Sequence, residues 1–192
     1  YVPDTPTNNW CTLNSIYGNG DSISEGSLKG EGDSGSAVFQ GWTSTFAMSS
    51  GKWYWEVNAL DVNTIMQIGV HPTGAAIDTS TNLSYHTDAM IYNSGGTKAI
   101  GTGGLGDAPT TKTTTSYGAS YTDGDIIGVA LDLDSGTTTL TFYKNNSSQG
   151  TAFSNLASDE YTALYTGIDN SFGVFNFGQD SSFAGTKTSG SA

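Results

Sequence analysis

The sequence predicts an all-β fold, a bent antiparallel β-sandwich with little or no helix. Short apolar runs alternate with polar residues at a period of two, as expected for strands buried on one face. Twenty-six glycines and only four prolines among 192 residues suit short strands joined by tight turns. An aromatic content of 11% suits two sheets packed face to face. No apolar pattern follows the 3.6-residue helical period, so helices are not predicted.

The most clearly predicted element is a β-hairpin within residues 121–153. Its strands are expected at residues 126–133 and 137–144, with Asp134, Ser135 and Gly136 as a tight turn. Asn145 and Asn146 close the second strand, because asparagine tolerates the left-handed backbone region.

Residues 1–20 are predicted to be an extended segment that packs on or leads into the domain, since Pro3 and Pro6 disfavour helix. Trp10 and Leu13 would close one end of the sandwich. The sandwich itself is predicted over residues 21–185, with a polar tail at 186–192.

Before the hairpin we expect strands at residues 22–29 and 36–42, paired with each other and continuing into 44–49. A strand at 53–60 would place Trp53, Trp55 and Val57 on one face and Tyr54 and Glu56 on the other. Its partner is expected at residues 65–70.

The middle of the chain is predicted as a loop at 71–84 with a helical turn near 75–79, then strands at 85–92 and 98–100. Residues 101–116 form either a mobile loop or an edge strand. After the hairpin, residues 151–153 begin a connection to strands at 161–167 and 173–177.

Charge is sparse and one-sided, with eighteen acidic residues, six lysines, no arginine and a net charge of −12. This argues against nucleic acid and against an anionic membrane surface as partners, since both require basic side chains. An acidic surface suits a salty medium or cation binding, and also serves plain solubility. With Cys11 alone, no intramolecular disulfide forms.

Three motifs carry a family resemblance: SGKWYWEV at residues 50–57 with IGV at 68–70, the hairpin at 121–153, and GVFNFGQDSSF at 173–183. In this order and spacing they resemble the SPRY domain family over residues 46–184. The resemblance implies a concanavalin-like jelly roll and a non-enzymatic interaction module whose variable loops bind the ligand at one end. It also implies scaffold roles for the residues that match the motifs. These are Trp53, Trp55, Gly69, Gly124, Asp125, Gly128, Asp132, Phe142, Asn145, Asn176 and Gly178.

The segment PDTPTNNWCTLNSI, residues 3–16, resembles a phrase that precedes SPRY-like domains in tail and other virion proteins of marine bacteriophages. This resemblance implies a binding or structural module of a tail fibre, appendage or capsid surface, located on the virion and therefore extracellular. Its partners would be neighbouring virion subunits, a host-surface glycan or a host-surface protein, without membrane insertion. Such a module is expected to be a homo-oligomer within a larger assembly. One alternative is a cellular SPRY domain that recruits a protein. Another is a lectin-like carbohydrate-active domain, which would show clustered acids on a concave face.

Catalytic residues are not predicted. A hydrolase triad from His71 or His86 with Asp88 and a serine, Ser84 or Ser94, lacks the G-x-S-x-G context. The two histidines also lack metal-binding spacing. Paired carboxylates for glycoside hydrolysis are available, but each lies in a turn or strand motif that favours a structural role. These carboxylates are Glu56, Asp123, Asp125, Asp132 and Asp134.

No cofactor is predicted, with calcium as the one ion that the sequence allows. Oxygen ligands are plentiful at residues 132–135, where Asp132 and Asp134 are candidates, and at 169–171. The ligand surface is predicted from aromatic residues beside polar loops, since aromatic faces stack on sugars and anchor protein interfaces. The alternative for each is a place in the core. The candidates are Trp42, Tyr85, His86, Tyr92, Tyr117 and Tyr121.

Overall fold

The computed structural model describes residues 9–18, 22–32, 39–73, 82–103 and 111–188. In these ranges fourteen strands form two seven-stranded antiparallel sheets, and the one helical element is a 3₁₀ turn, Leu83–Tyr85. The strands, in chain order, are β1 (Leu13–Gly18), β2 (Ser22–Ser24), β3 (Lys29–Glu31), β4 (Gln40–Ser44), β5 (Lys52–Asp61), β6 (Met66–Pro72), β7 (Met90–Asn93), β8 (Thr97–Gly101), β9 (Lys112–Ser116), β10 (Ile126–Asp132), β11 (Thr139–Lys144), β12 (Ser147–Ser154), β13 (Tyr161–Gly167) and β14 (Phe172–Asn176). The predicted all-β sandwich is confirmed. No helix in the described ranges has the length and apolar character needed to cross a bilayer.

The first sheet has the strand order β1-β4-β13-β6-β7-β8-β9, and the second has the order β12-β11-β10-β5-β14-β3-β2. Aromatic contacts join them: Tyr165 of the first sheet meets Phe175 of the second at 6.2 Å, and Tyr92 meets Phe142 at 5.3 Å between ring centroids. All four rings are fully buried. Each contributes roughly 1.5–3 kcal/mol through removal of apolar surface from water.

The predicted hairpin is present as β10 and β11, paired from Ile127 with Lys144 to Asp132 with Thr139. The loop between them spans residues 133–138, longer than the tight turn predicted. Asp132 explains the difference, because its carboxylate accepts hydrogen bonds from the backbone N–H groups of Asp134 and Ser135 and organises a wider loop. At the other end, Asn145 and Asn146 have φ of 47° and 64°, which confirms the left-handed turn.

That turn leads directly into β12, an eight-residue edge strand where the sequence predicted only a connection. The strand was missed because its sequence, SSQGTAFS, lacks the apolar alternation of a half-buried strand. Its position at the sheet edge supplies pairing partners on β11 without requiring a buried face.

The predicted pairing of residues 22–29 with 36–42 is wrong. Residues 25–27 turn the chain with φ of 53°, 67° and 65°, so the first predicted strand is interrupted by a turn across which β2 and β3 pair with each other. β3 then pairs with β14, whereas β4 pairs with β1 and β13 in the opposite sheet. Residues 33–38 lie outside the described part.

The predicted strand at 85–92 begins only at Met90. Asn82 caps the 3₁₀ turn by accepting a hydrogen bond from the Ser84 N–H, and His86 makes a single bridge to Gly103. The helical turn expected near residues 75–79 lies outside the described residues. Of the two alternatives for 101–116, an edge strand is present as β9, while residues 104–110 are not described.

Both ends of the described chain pack on the sandwich. Leu13 of β1 is 1% exposed and belongs to the main core. Near the other end, Thr186 accepts a hydrogen bond from the Asn58 side chain at 2.7 Å, and Lys187 donates to the Gly124 carbonyl at 2.5 Å. Residues 186 and 187, predicted to belong to a polar tail, are thus tied to the second sheet and its turn.

A candidate binding groove

The aromatic residues predicted to bind ligand are mostly internal. Trp42, His86, Tyr92 and Tyr121 are at most 3% exposed, so the expectation that they form an exposed surface is wrong. Tyr121 shows the physical reason: its hydroxyl donates to the Met66 and Tyr92 carbonyls at 2.9 and 3.1 Å, which satisfies it inside the core. The alternative reading, a place in the core, applies to these four.

Tyr85 and Tyr117 are half-buried, and each lies beside a lysine. The Lys112 ammonium is 4.9 Å from the Tyr85 ring centroid, and the Lys98 ammonium is 5.5 Å from that of Tyr117. Their rings are therefore partly occupied by cations of the same chain. Ligand binding by these two residues stays a prediction.

Most of the motif residues hold the second sheet together. Trp55 and Phe142 are buried in the core. Gly128 leaves room for the Tyr54 ring, which lies where a side chain on residue 128 would be. A side chain on residue 69 would meet the Met90 carbonyl of β7 even more closely, so Gly69 allows these two strands to pack.

The acidic motif residues stabilise turns. Asp125 receives hydrogen bonds from the Thr122 N–H and the Asn145 amide, and pairs with Lys144 at 3.1 Å. Burial by itself would raise the pKa of Asp125, but these hydrogen bonds and the lysine bring it below its ordinary value. Gly124 completes this turn with φ of 81°.

Asp132 and Asn176 also stabilise turns, at the other end of the second sheet. The Ser135 hydroxyl and the Lys52 ammonium, 2.9 Å away, keep the pKa of Asp132 far below its ordinary range. The Asn176 side chain accepts from the Gly178 N–H at 2.8 Å, just beyond β14.

Trp53 is more exposed than the residues predicted to share its face. It was expected on one face of the strand with Trp55 and Val57, which are buried, whereas Trp53 is 40% exposed at the beginning of β5. Its indole Nε1 donates to the Ser50 carbonyl at 2.7 Å, which fixes the ring at the end of the sandwich. The sandwich ends before it can cover this side chain.

Beside Trp53 lies a cavity of about 230 Å³, which we call the aromatic groove. Its walls come from five separate parts of the chain. They include Trp10, Phe46, Met48, Trp53, Trp55 and Phe177.

The aromatic groove is apolar and partly open. Phe46 and Trp53 are 39% and 40% exposed, whereas Trp55 and Met48 are buried behind them. The lining residues in the described chain carry no charged side chain. This combination of buried floor and exposed aromatic rim is typical of a pocket that receives an apolar group.

A second cavity, about 310 Å³, adjoins the aromatic groove on the outer face of the second sheet. Tyr54, 52% exposed, lies between the two, with its ring 6.2 Å from that of Tyr143 in an edge arrangement. Burial and a hydrogen bond to Glu56 raise the pKa of Tyr54, which keeps its hydroxyl neutral. Tyr54 and Trp53 thus form a ridge shared by both cavities.

The candidate catalytic serines are enclosed. Ser84 is fully buried and its hydroxyl has no hydrogen-bond partner within the described ranges, while the Ser94 hydroxyl accepts from the Met66 N–H. His71 Nε2 and His86 Nδ1 lie 2.8 Å apart and bond to each other. This arrangement gives a triad neither an accessible nucleophile nor a free base.

The carboxylates considered for glycoside hydrolysis and for calcium binding also accept hydrogen bonds within the protein. Asp123 accepts from the Val62 N–H, Asp134 from the Gly51 N–H, and Glu56 from the Tyr54 hydroxyl. Among the residues that the structure describes, no three His, Cys, Asp or Glu side chains are grouped as metal ligands. Calcium binding stays a prediction.

Comparison with known proteins identifies the class as an SPRY-type β-sandwich. The crystal structure of the SPRY domain of human HERC1 matches with a TM-score of 0.67 and 16% identity, over 88% of this chain and 99% of that one. A crystal structure of a human SPRY domain matches with a TM-score of 0.62 and 16% identity, over 83% and 96%. The SPRY domain profile matches residues 52–180, and the chain therefore belongs to the SPRY family. SPRY domains are in general non-enzymatic modules that bind proteins.

Sequence reasoning missed the residues that line the aromatic groove. Phe46 and Phe177 fall in the strands predicted at 44–49 and 173–177 and were not among the ligand candidates, and Trp53 was assigned to the scaffold. The run Trp53-Tyr54-Trp55 marks only Tyr54 as facing away from Trp53 and Trp55, because successive residues of a strand face opposite sides. It carries no signal for the exposure of Trp53.

Proposed function

We propose that this chain is a non-enzymatic binding module on the surface of a bacteriophage virion, in a tail fibre, appendage or capsid protein. Its contact surface is the aromatic groove, which meets a neighbouring virion subunit or a host-surface glycan. Because one particle carries many copies, its avidity exceeds the affinity of a single module by roughly 100-fold to 10,000-fold. Homo-oligomerisation follows from this setting.

One observation carries the proposal: Phe46 and Trp53 are exposed at the rim of an apolar cavity of about 230 Å³. Exposed aromatic side chains around a pocket are the usual anchors of protein interfaces, and their faces also stack on sugar rings. The virion setting is supported by the resemblance of residues 3–16 to phage proteins, and by the acidic composition with no arginine.

The test is binding by a tetrameric, labelled form of the chain to a glycan array, to bacterial cells and to separated virion proteins, with and without calcium. Selective binding to any of these supports the proposal. Absence of binding to all three contradicts it. A response that requires calcium would support the predicted ion.

Two variants connect binding with the groove. Phe46→Ala and Trp53→Ala should each weaken binding at least about tenfold, because each removes an aromatic anchor. Both side chains are partly exposed, so folding should be little affected. Tyr17→Ala is the matched control, since Tyr17 is 52% exposed on β1 and is absent from the groove lining. Equal binding by all three variants would remove the groove from the proposal.

A further inference from the structure

The size of the aromatic groove limits what enters it. Pockets for drug-sized ligands typically measure about 300–1,000 Å³. At about 230 Å³, the groove has room for one large side chain or a similar group. Because its lining is aromatic and uncharged, an apolar group is the one it favours.

The rim adds negative charge. The Asp134 carboxylate accepts from the Gly51 N–H at 2.6 Å, two residues before Trp53. The Glu56 carboxylate accepts from the Tyr54 hydroxyl at 2.9 Å, on the ridge beside the groove. Two carboxylates thus adjoin the groove through residues that form or neighbour its rim.

Each lysine of the chain has a partner within the fold, and Lys52, next to Trp53, is paired with Asp132 although its side chain is 67% exposed. Lys52 and Lys144 pair with Asp132 and Asp125, and Lys187 bonds to the Gly124 carbonyl. Lys29, Lys98 and Lys112 lie over aromatic rings. With eighteen acidic residues against these six lysines, the field outside the molecule is negative.

From these observations we infer that the aromatic groove receives a basic protein segment, in which one apolar anchor side chain is flanked by lysine or arginine. This rests on the proposed binding function and specifies the partner. The anchor fills the cavity, and the flanking cations lie near Asp134 and Glu56. A second copy of this chain is a poor occupant of the groove, because its six lysines are far apart in sequence and no apolar side chain is flanked by two of them.

The probe is a synthetic peptide, acetyl-Lys-Ser-Trp-Ser-Lys-amide, titrated into the ¹⁵N-labelled chain. The chain has four tryptophans, so four indole N–H signals report binding. The Trp55 signal is the most informative, since Trp55 lines the groove and its Nε1 has no hydrogen-bond partner in the described part of the chain. Trp55→Phe assigns this signal by its loss. If that variant folds poorly, Trp10→Phe, Trp42→Phe and Trp53→Phe assign the other three signals, and the Trp55 signal follows by elimination.

We expect the Trp55 and Trp53 signals to shift with this peptide. A peptide with alanine at the centre should bind at least about tenfold more weakly, because the anchor is lost. A peptide with glutamate in place of both lysines should also bind at least about tenfold more weakly at low salt. Phe46→Ala should weaken binding of the first peptide to a similar extent.

Charge at the rim is tested separately. The double variant Glu56→Gln with Asp134→Asn keeps both hydrogen-bond acceptors and removes both charges. It should weaken binding roughly threefold to tenfold at low salt and flatten the salt dependence. The matched control is Asp61→Asn with Asp169→Asn, which removes two charges at the opposite end of β5, about 17 Å along the strand from Glu56 and about 30 Å from Gly51. The control should bind like the parent chain.

The inference is overturned if no peptide shifts the groove signals, or if the glutamate peptide binds as well as the lysine peptide. It is also overturned if both double variants weaken binding equally, since the effect would then be one of total charge. Binding to glycans through Phe46 together with no peptide binding would contradict the inference and leave the proposed function intact. Failure of both assays would contradict both.

Discussion

At the scale of single residues, the most unusual feature is the buried pair formed by His71 and His86. The two ring nitrogens are 2.8 Å apart and both side chains are 2% exposed. A neutral pair needs one N–H and one lone pair facing each other, so only one proton occupies the contact. Burial, and then the neighbouring His86, lower the pKa of His71 from 6.5 to about 4.

This pair makes folding sensitive to mild acid. Between pH 6.5 and 4 the unfolded chain binds a proton at His71 that the folded chain does not, so stability falls as pH falls. From pH 7.5 to 5 the loss should be about 2 kcal/mol. Urea unfolding at a series of pH values measures it.

The variant His71→Gln should flatten the curve over the same pH range, whatever its stability at pH 7.5. Carboxylates titrate mainly below this range, so they contribute little to the slope. A parent chain whose stability is level from pH 7.5 to 5 would contradict the assignment.

At the scale of an element, the β11–β12 turn joins local backbone geometry to the tertiary structure. Asn145 and Asn146 both have positive φ. Residues other than glycine, asparagine and aspartate adopt this conformation at a cost in free energy. Asn145 does more than turn the chain. Its side chain accepts from the Ile126 N–H at 2.8 Å and donates to the Asp125 carboxylate at 2.7 Å, which fastens the turn to the beginning of β10.

A pair of alanine variants separates these two contributions. Asn146→Ala should lose about 1 kcal/mol, the cost of a left-handed alanine. Asn145→Ala should lose about 3 kcal/mol, because it also removes two hydrogen bonds, one of them to a charged group. Equal losses in denaturant unfolding would show that the side-chain contacts of Asn145 contribute nothing measurable.

At the scale of the whole molecule, the excess of carboxylates opposes folding. Compaction brings like charges together, and a net charge of −12 in 192 residues makes their repulsion a term in stability. The two lysine–aspartate pairs seen in the described ranges offset only a small part of it.

Salt should therefore stabilise the chain. Raising sodium chloride from 10 to 500 mM at pH 7.5 shortens the screening length and should raise Tm by about 2–5 °C. Tetramethylammonium chloride should produce the same rise if screening is the cause. A larger rise with calcium chloride at matched ionic strength would indicate specific calcium binding, and no rise with any salt would contradict the prediction.

The local features of the fold were determined by the sequence alone. Alternation at a period of two identified β5, β6, β10, β11, β13 and β14, and asparagine and glycine marked the turn at 145–146. These signals are local, because a strand shows its buried face every second residue and a left-handed turn favours a few residue types. The SPRY motifs could be recognised for the same reason, since each is a short continuous stretch of sequence.

Only the tertiary structure decided which strands share a sheet and which aromatic residues are exposed. Periodicity does not distinguish Tyr92, buried between the sheets, from Trp53, which lies where the sandwich ends. The aromatic groove likewise joins Trp10, Phe46, Trp53 and Phe177, which are far apart in sequence. Burial depends on what the rest of the chain places above a side chain, and that information is absent from any short stretch of sequence.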